Sequence, residues 1–142
     1  MSVTALDRVE LRLPRLLGAW ATVSVVAGTA AHVAGRRRGD DGLAAFGRQS
    51  VAWGAVDAVI AAAGERGRRR GERRPPEVTA RRLRRLLWAN AAADVAYVAG
   101  GLAWARRGGP ADTGGGAAVA VQGAFLLVLD VASARALRRT SG

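Results

Sequence analysis

The sequence predicts an all-α fold in which four transmembrane helices form one bundle, and two observations support this. Half of the 142 residues are hydrophobic, and they lie in four apolar blocks separated by arginine, glycine and proline. Each block has about 18–22 residues, which at 1.5 Å per residue spans a hydrocarbon core of about 30 Å. Helices of that length in water normally carry a regular polar stripe, but these blocks contain only isolated polar residues. We expect a single membrane domain, 1–142, with helices at 16–35, 43–64, 86–105 and 117–134.

Two other interpretations fit parts of this pattern. Alanine is only weakly hydrophobic, so the blocks also suit a soluble, alanine-rich four-helix bundle. The first block follows Arg8, Arg12 and Arg15, as the apolar region of a signal peptide does. However, that apolar run is long for a signal peptide, and further arginines follow it at once at 36–38.

The connections between the blocks differ in character. The second connection, 65–85, holds ten arginines and is interrupted by Pro75 and Pro76. The chain looks helical again from Glu77, because proline suits the first position of a helix. The third connection, 108–116, is rich in glycine, which predicts a flexible turn.

The arginines predict the orientation of the helices. The chain has a formal net charge of +11, and all 22 of its basic residues are arginine. With four spans, 16 arginines fall on the side of the two termini and the 65–85 connection, and five fall on the opposite side. The positive-inside rule therefore places both termini and the 65–85 connection in the cytoplasm. Arginine without lysine, in an alanine-rich chain, is typical of a high-GC bacterial genome, so we expect a multi-pass protein of the bacterial cytoplasmic (inner) membrane.

Short matches between the two halves indicate two repeated helical hairpins. Gln49 is followed eight residues later by Asp57, and Gln122 is followed by Asp130 at the same spacing. Each pair is related by a shift of 73 residues. Chance similarity is the alternative, because short matches arise easily in a chain of such biased composition.

Polar and ionisable residues inside the predicted spans are the candidate site. They are costly in a bilayer and usually face protein or water. By depth, the three aspartates and Asn90 form a layer in the cytoplasmic half, while Arg48 and the two glutamines lie toward the outer half. The candidates are Asp57, Asp94, Asp130, Asn90, Tyr97, Arg48, Gln49 and Gln122.

Two functions are compatible with these residues. They can hydrogen-bond neighbouring helices and fix the packing of a scaffold or partner-binding subunit. Alternatively, the aspartates can bind a proton, a cation or a small ligand in a minimal transporter, because close carboxylates do not all stay ionised in a low dielectric. Arg48 would pair with an acid or reach the outer headgroups, and Asp130 would pair with Arg135.

Three segments resemble a family of small bacterial four-helix membrane proteins of unknown function. The shared patterns are Q-x3-W-G-x2-[ND], N-x3-D-x2-Y-x2-G and Q-G-x-F-L-x3-D, which begin here at Gln49, Asn90 and Gln122. The family has asparagine where this chain has Asp57. The resemblance covers the second to fourth helices and implies an integral membrane bundle, with no activity attached.

The sequence gives no sign of an enzyme or a cofactor. It has no cysteine, one histidine, no P-loop and none of the common hydrolase motifs. The arginines of the 65–85 connection are not interleaved with aromatic residues, so we expect them to contact anionic lipid headgroups instead of nucleic acid. A homodimer or a membrane protein partner is compatible with the chain.

Overall fold

The computed structural model describes residues 4–70 and 75–137, and within them the chain is all-α, with no strand. The all-α class with four helices is therefore confirmed. Every helix is longer than the predicted apolar block. The four helices are α1 (Ala5–Arg38), α2 (Asp41–Arg70), α3 (Pro76–Ala105) and α4 (Pro110–Ala136).

Local chemistry sets the ends of α1. The Thr4 side chain accepts a hydrogen bond from the Asp7 backbone, and the Asp7 carboxylate accepts one from the Thr4 backbone, which makes a reciprocal capping box. At the other end, Gly39 adopts φ +69°, a conformation that favours glycine and that ends a helix. This leaves a sharp turn between α1 and α2.

The connection predicted at 65–85 is shorter than expected: the helix expected from Glu77 is confirmed, whereas the continuation of α2 to Arg70 was not predicted. Residues 65–70 continue α2 and residues 76–85 begin α3, because charged residues at a helix end need no apolar surroundings to stay helical. Pro76 occupies the first turn of α3, as expected. Arg73, Arg74, Arg138 and Arg139 lie outside the described residues.

The predicted turn at 108–116 is also shorter than expected, because α4 begins at Pro110. Gly114, Gly115 and Gly116 are helical and buried. A Cβ on Gly115 would lie 2.9 Å from the Trp104 ring. Gly115 and Gly116 lie against α3, and Gly114 lies against Gly42 of α2, so a larger side chain at any of them would push α4 away from its neighbour.

The four helices form two antiparallel hairpins. α1 packs along α2, α3 packs along α4, and the hairpins join mainly through α2 and α4. The beginnings of α1 and α3 meet the end of α4, where Val9, Leu87 and Ala134 pack together. We call this the arginine-rich end, since it includes residues 66–70 and 81–85. The polar residues described below lie between this end and the middle of the bundle.

The two hairpins cross at equivalent glycines. In the first hairpin, Gly28 of α1 lies against the backbone of Gly47 in α2, and in the second, Gly101 of α3 lies against Gly116 in α4. These contacts relate α1 to α3 by 73 residues (28 to 101) and α2 to α4 by 69 residues (47 to 116). The contact of Gly54 with Val25 and that of Gly123 with Val98 give the same two shifts.

This packing corrects the register of the predicted repeat. The match of Gln49 with Gln122 assumed a shift of 73 residues between α2 and α4, which is four residues, or about one helical turn, too many. By packing, the counterpart of Gln122 is Trp53, and the counterpart of Asp130 is Ala61. Close backbone contact at glycines sets the register, and the polar residues then occupy different positions in the two hairpins.

Much of the outer surface is apolar. Val26, Val59 and Val128 are 65–69% exposed, and many other large apolar side chains also face outward. By length and composition, α1, α3 and α4 can each cross a membrane. Within the described residues α2 does not meet the same measure. Alanine and glycine, which are weakly hydrophobic, make up half of its residues 43–64.

Candidate functional site

Four polar side chains are buried at the centre of the bundle, and they come from three different helices. Asp57 of α2 is 1% exposed, Asp94 of α3 is 3% exposed, and Gln122 and Asp130 of α4 are 5% and 8% exposed. All four were predicted from the sequence as site residues. The structure brings them together into a cluster that we call the acidic cluster: Asp57, Asp94, Gln122 and Asp130.

A chain of hydrogen bonds ties Asp57 to the first helix. The Gln122 side-chain NH₂ donates to Asp57 Oδ2. The Gln122 carbonyl oxygen accepts a hydrogen bond of 2.8 Å from Trp20 Nε1, and the Trp20 ring stacks on Phe125 at 4.0 Å between centroids. One amide therefore links α1, α2 and α4, and it uses both of its ends to do so.

The second part of the acidic cluster joins α3 to α4. The carboxyl groups of Asp94 and Asp130 lie against each other, and the Asn90 side chain lies next to Asp130. Asp57 lies near enough for its charge to act on Asp94. Within the described residues Asp130 forms no ion pair with Arg135, so that expected pairing is wrong.

The acidic cluster is not fully satisfied by the protein. Asp57 Oδ1 and Asp94 Oδ2 are buried without a hydrogen-bond partner, and so is Trp53 Nε1. The Trp53 ring meets Tyr97 edge-on at 5.1 Å between centroids. Buried carboxylate oxygens without a donor are costly, so these two oxygens mark positions where a proton or another donor would be stabilised.

Two predicted site residues lie apart from the cluster. Arg48 is exposed and Gln49 is half-buried, and within the described chain neither takes part in a hydrogen bond or an ion pair. Gln122 was expected in an outer layer with them, but it binds Asp57 directly. The prediction of separate acidic and amide layers is therefore wrong, because Gln122 and Asp57 both lie near the middle of their helices.

Sequence reasoning missed several partners. The role of Trp20 as a donor to Gln122 had no signal in the sequence, since 102 residues separate the two. Trp104 Nε1 donates to Asp112 at 2.9 Å, and the spacing of eight residues across a predicted turn could have suggested it. His32 Nδ1 lies 2.8 Å from the Ala44 carbonyl oxygen, a hydrogen bond that joins α1 to α2.

No group of three histidine, aspartate or glutamate side chains in the described residues is arranged to hold a metal ion. The aspartates of the acidic cluster thus come together without the geometry of a metal site. What the arrangement can do chemically is to share protons among carboxyl groups and to fix three helices through one amide.

Charge at the arginine-rich end is organised separately. Glu65 accepts hydrogen bonds from Arg68 and Arg69 at 2.6–2.8 Å, and these bonds lower the pKa of Glu65 to about 2. Nearby, a cavity of about 290 Å³ lies between the beginnings of α1 and α3, with Leu6 and Ala80 among its apolar walls and Arg81 and Arg84 at its side.

The fold and the acidic cluster define a class: an all-α bundle of long helices that buries carboxyl groups and exposes apolar side chains. A family of unknown function, DUF6992, matches residues 16–131. The chain belongs to this family. The match includes the second to fourth helices, on which the resemblance noted from the sequence rested. No curated protein and no solved structure matched the chain in comparisons with each.

Proposed function

We propose that this chain is an integral protein of the bacterial cytoplasmic membrane, in which four helices cross the bilayer and buried polar side chains fix their packing. Its role is that of a non-catalytic scaffold or partner-binding subunit. The observation that carries the proposal is the inverted distribution of polarity. Asp57, Asp94 and Asp130 are buried, whereas Val26, Val59 and Val128 are the most exposed of the large apolar side chains. Acyl chains can cover such a surface, and water would leave it at a cost.

Membrane crossing by α2 rests on its position in the bundle. It packs against α1 and α4, both of which are long and apolar enough to span. Val56, Val59 and Ile60 on its outer face are 47–69% exposed. A helix with these neighbours and this outer face belongs to the same membrane layer, and the buried Asp57 faces the other helices instead of lipid.

Both termini and the α2–α3 connection lie on the cytoplasmic side in this proposal. The antiparallel hairpins bring the beginning of α1, the end of α2 and the beginning of α3 to one end of the bundle, which is also the arginine-rich end. That grouping follows the positive-inside rule.

Anionic lipid headgroups are the proposed partners of the arginine-rich end. Arg81 and Arg84 line a cavity with apolar walls, which suits a phosphate group attached to acyl chains, and each arginine near such a surface gains about 1 kcal/mol. Anionic lipid in nanodiscs should raise thermal stability above that in zwitterionic lipid. Replacing Arg81 and Arg84 by glutamine should remove that gain, while the same change at Arg106 and Arg107 should keep it.

A protein partner or a second copy is proposed at the face that carries Arg48. Its guanidinium is exposed about 10 Å along α2 from Asp41, at 1.5 Å per residue, and within the described residues it has no partner. An acidic group on a neighbouring chain would satisfy it. A change in the assembly size of Arg48→Gln in native membranes would support this face, and an unchanged size would refute it.

Cysteine labelling tests the membrane topology, since the chain has no cysteine of its own. Asp41 and Gly67 lie at opposite ends of α2, and both are exposed. In intact cells, an impermeant maleimide should label Asp41→Cys, and it should label Gly67→Cys only after permeabilisation. Labelling of both sites from the same side would refute a membrane-crossing α2, and recovery of the chain in the soluble fraction would refute the whole proposal.

A second experiment separates scaffold from transporter. If the acidic cluster only fixes packing, Asp94→Asn should lower stability or assembly and leave proton and cation flux through liposomes at the level of the wild type. A flux in the wild type that Asp94→Asn abolishes would instead favour a minimal transporter or a cation- or ligand-binding bundle.

A further inference from the structure

The unsatisfied part of the acidic cluster has a chemistry that packing alone does not require. Asp94 of α3 and Asp130 of α4 are both buried, and their carboxyl groups lie against each other. A carboxylate has only acceptor oxygens, so two carboxyl groups can bond to each other only when one of them carries a proton. The contact itself therefore calls for a proton.

The unpartnered oxygens are a second observation that points to the same ligand. Asp57 Oδ1 and Asp94 Oδ2 have no hydrogen-bond donor in the protein, although Asp57 and Asp94 are at least 97% buried. A proton on the cluster lowers its charge and supplies a donor. A metal ion would do so too, but the described residues offer it no three-ligand set.

Among the described residues, the groups around the acidic cluster supply no positive charge to its carboxyl groups, which leaves a proton to neutralise them. From α2 the cluster is faced by the Asp57 carboxyl group, and from α3 and α4 by Asn90 and Gln122, which are neutral amides. α1 contributes the Trp20 indole, which does not titrate. Within the described residues no arginine forms an ion pair with any of the three carboxyl groups.

We propose that Asp94 and Asp130 form a proton-binding site inside the bundle, in which the two carboxyl groups share a single proton. The proton comes from water, and its binding changes the charge of the pair from −2 to −1. Asn90 lies next to Asp130, and the Asp57 carboxyl group lies near the pair from α2. The site is independent of a scaffold role, because a bundle held together only by packing has no need to titrate.

Infrared difference spectroscopy of the full chain in lipid tests this site directly, since a protonated carboxyl group has its own C=O stretching band. The wild type should show one such band from the buried pair, and the band should disappear as the pH is raised. Asp94→Asn and Asp130→Asn should each abolish it. Asp41→Asn, which changes an exposed aspartate at the start of α2, should leave it intact.

The absence of a protonated-carboxyl band in the wild type would overturn the proposal, and so would a band that survives in both asparagine variants. If these variants fail to fold, Asp94→Glu decides the matter, because it keeps both carboxyl groups and only lengthens one side chain. The changed contact with Asp130 should shift the band, and an unshifted band would count against the site. These results do not depend on flux or assembly, so the scaffold proposal can fail or stand separately.

Discussion

The crossing of α3 and α4 can be tested by placing one methyl group at two adjacent positions. A Cβ on Gly101 would lie 2.6 Å from the Ala120 backbone nitrogen and 2.7 Å from the Gly116 carbonyl oxygen. Both atoms are backbone, so the helices must move apart. At Gly100 a Cβ would meet nothing within 4 Å. The two glycines are neighbours in one helix, so they form a matched pair.

The expected effects have opposite signs. Gly100→Ala should stabilise the chain by about 0.4–1 kcal/mol, since alanine restricts the unfolded chain and fits the helix. Gly101→Ala has the same gain, but it also has the cost of overpacking, about 1–3 kcal/mol. The helix preference of alanine over glycine is the same in both variants and cancels. Their difference in the free energy of unfolding, about 1–3 kcal/mol, therefore measures only the overpacking at the contact of α3 with α4.

Thermal or denaturant unfolding in detergent, followed by circular dichroism, measures this difference. Gly101→Ala should be the less stable variant, and Gly100→Ala should match or exceed the wild type. Equal stability of the two variants would refute the close approach of α3 and α4. It would also remove the basis for relating the two hairpins through Gly28 and Gly101.

Two further predictions concern the polar side chains. Gln122→Leu leaves the Asp57 carboxylate without its donor, so it should lower the free energy of unfolding by about 1–3 kcal/mol. The control Gln49→Leu, at a position with no hydrogen bond in the described chain, should change that free energy by no more than about 0.5 kcal/mol. Equal losses of stability in the two variants would contradict the network. For Glu65, hydrogen bonds in the folded chain lower the pKa from 4.5 to about 2, so its stabilisation is present above pH 4.5 and is lost as the pH falls through about 2. A carbon-13 NMR titration should show this midpoint, Arg68→Gln should raise it, and a wild-type midpoint near 4.5 would rule out the proposed bonds.

The acidic cluster also explains how two hairpins hold together as one bundle. Within each hairpin, small residues let the backbones approach closely, and the contact needs no polar side chain. Between the hairpins, the bond from Gln122 to Asp57 crosses from α4 to α2. A polar link of this kind specifies which face of one hairpin meets the other, a choice that apolar contacts alone make only weakly.

Much of the fold was accessible from the sequence because it depends on local properties. Runs of about 20 apolar residues are sufficient to predict long helices, and arginine density is sufficient to predict which ends group together. The burial of Asp57, Asp94, Asp130 and Gln122 was also predictable, since charged and amide groups inside an apolar run avoid the exposed face. Helix ends were less accessible, because the arginine-rich segment 65–70 is helical without being apolar.

Only the tertiary structure decided which polar groups meet. Trp20 and Gln122 are 102 residues apart, and nothing local selects one as the partner of the other. The register that relates the two hairpins could not be read from sequence matches either. The match of Gln49 with Gln122 implies a shift that differs by about one helical turn from the shift given by the glycine contacts. Glycine contacts between backbones set that register, and they leave Arg48 outside the acidic cluster and Asp94 beside Asp130. The sequence thus determined how many helices form and which residues avoid the surface, whereas close packing determined which carboxyl groups share a site.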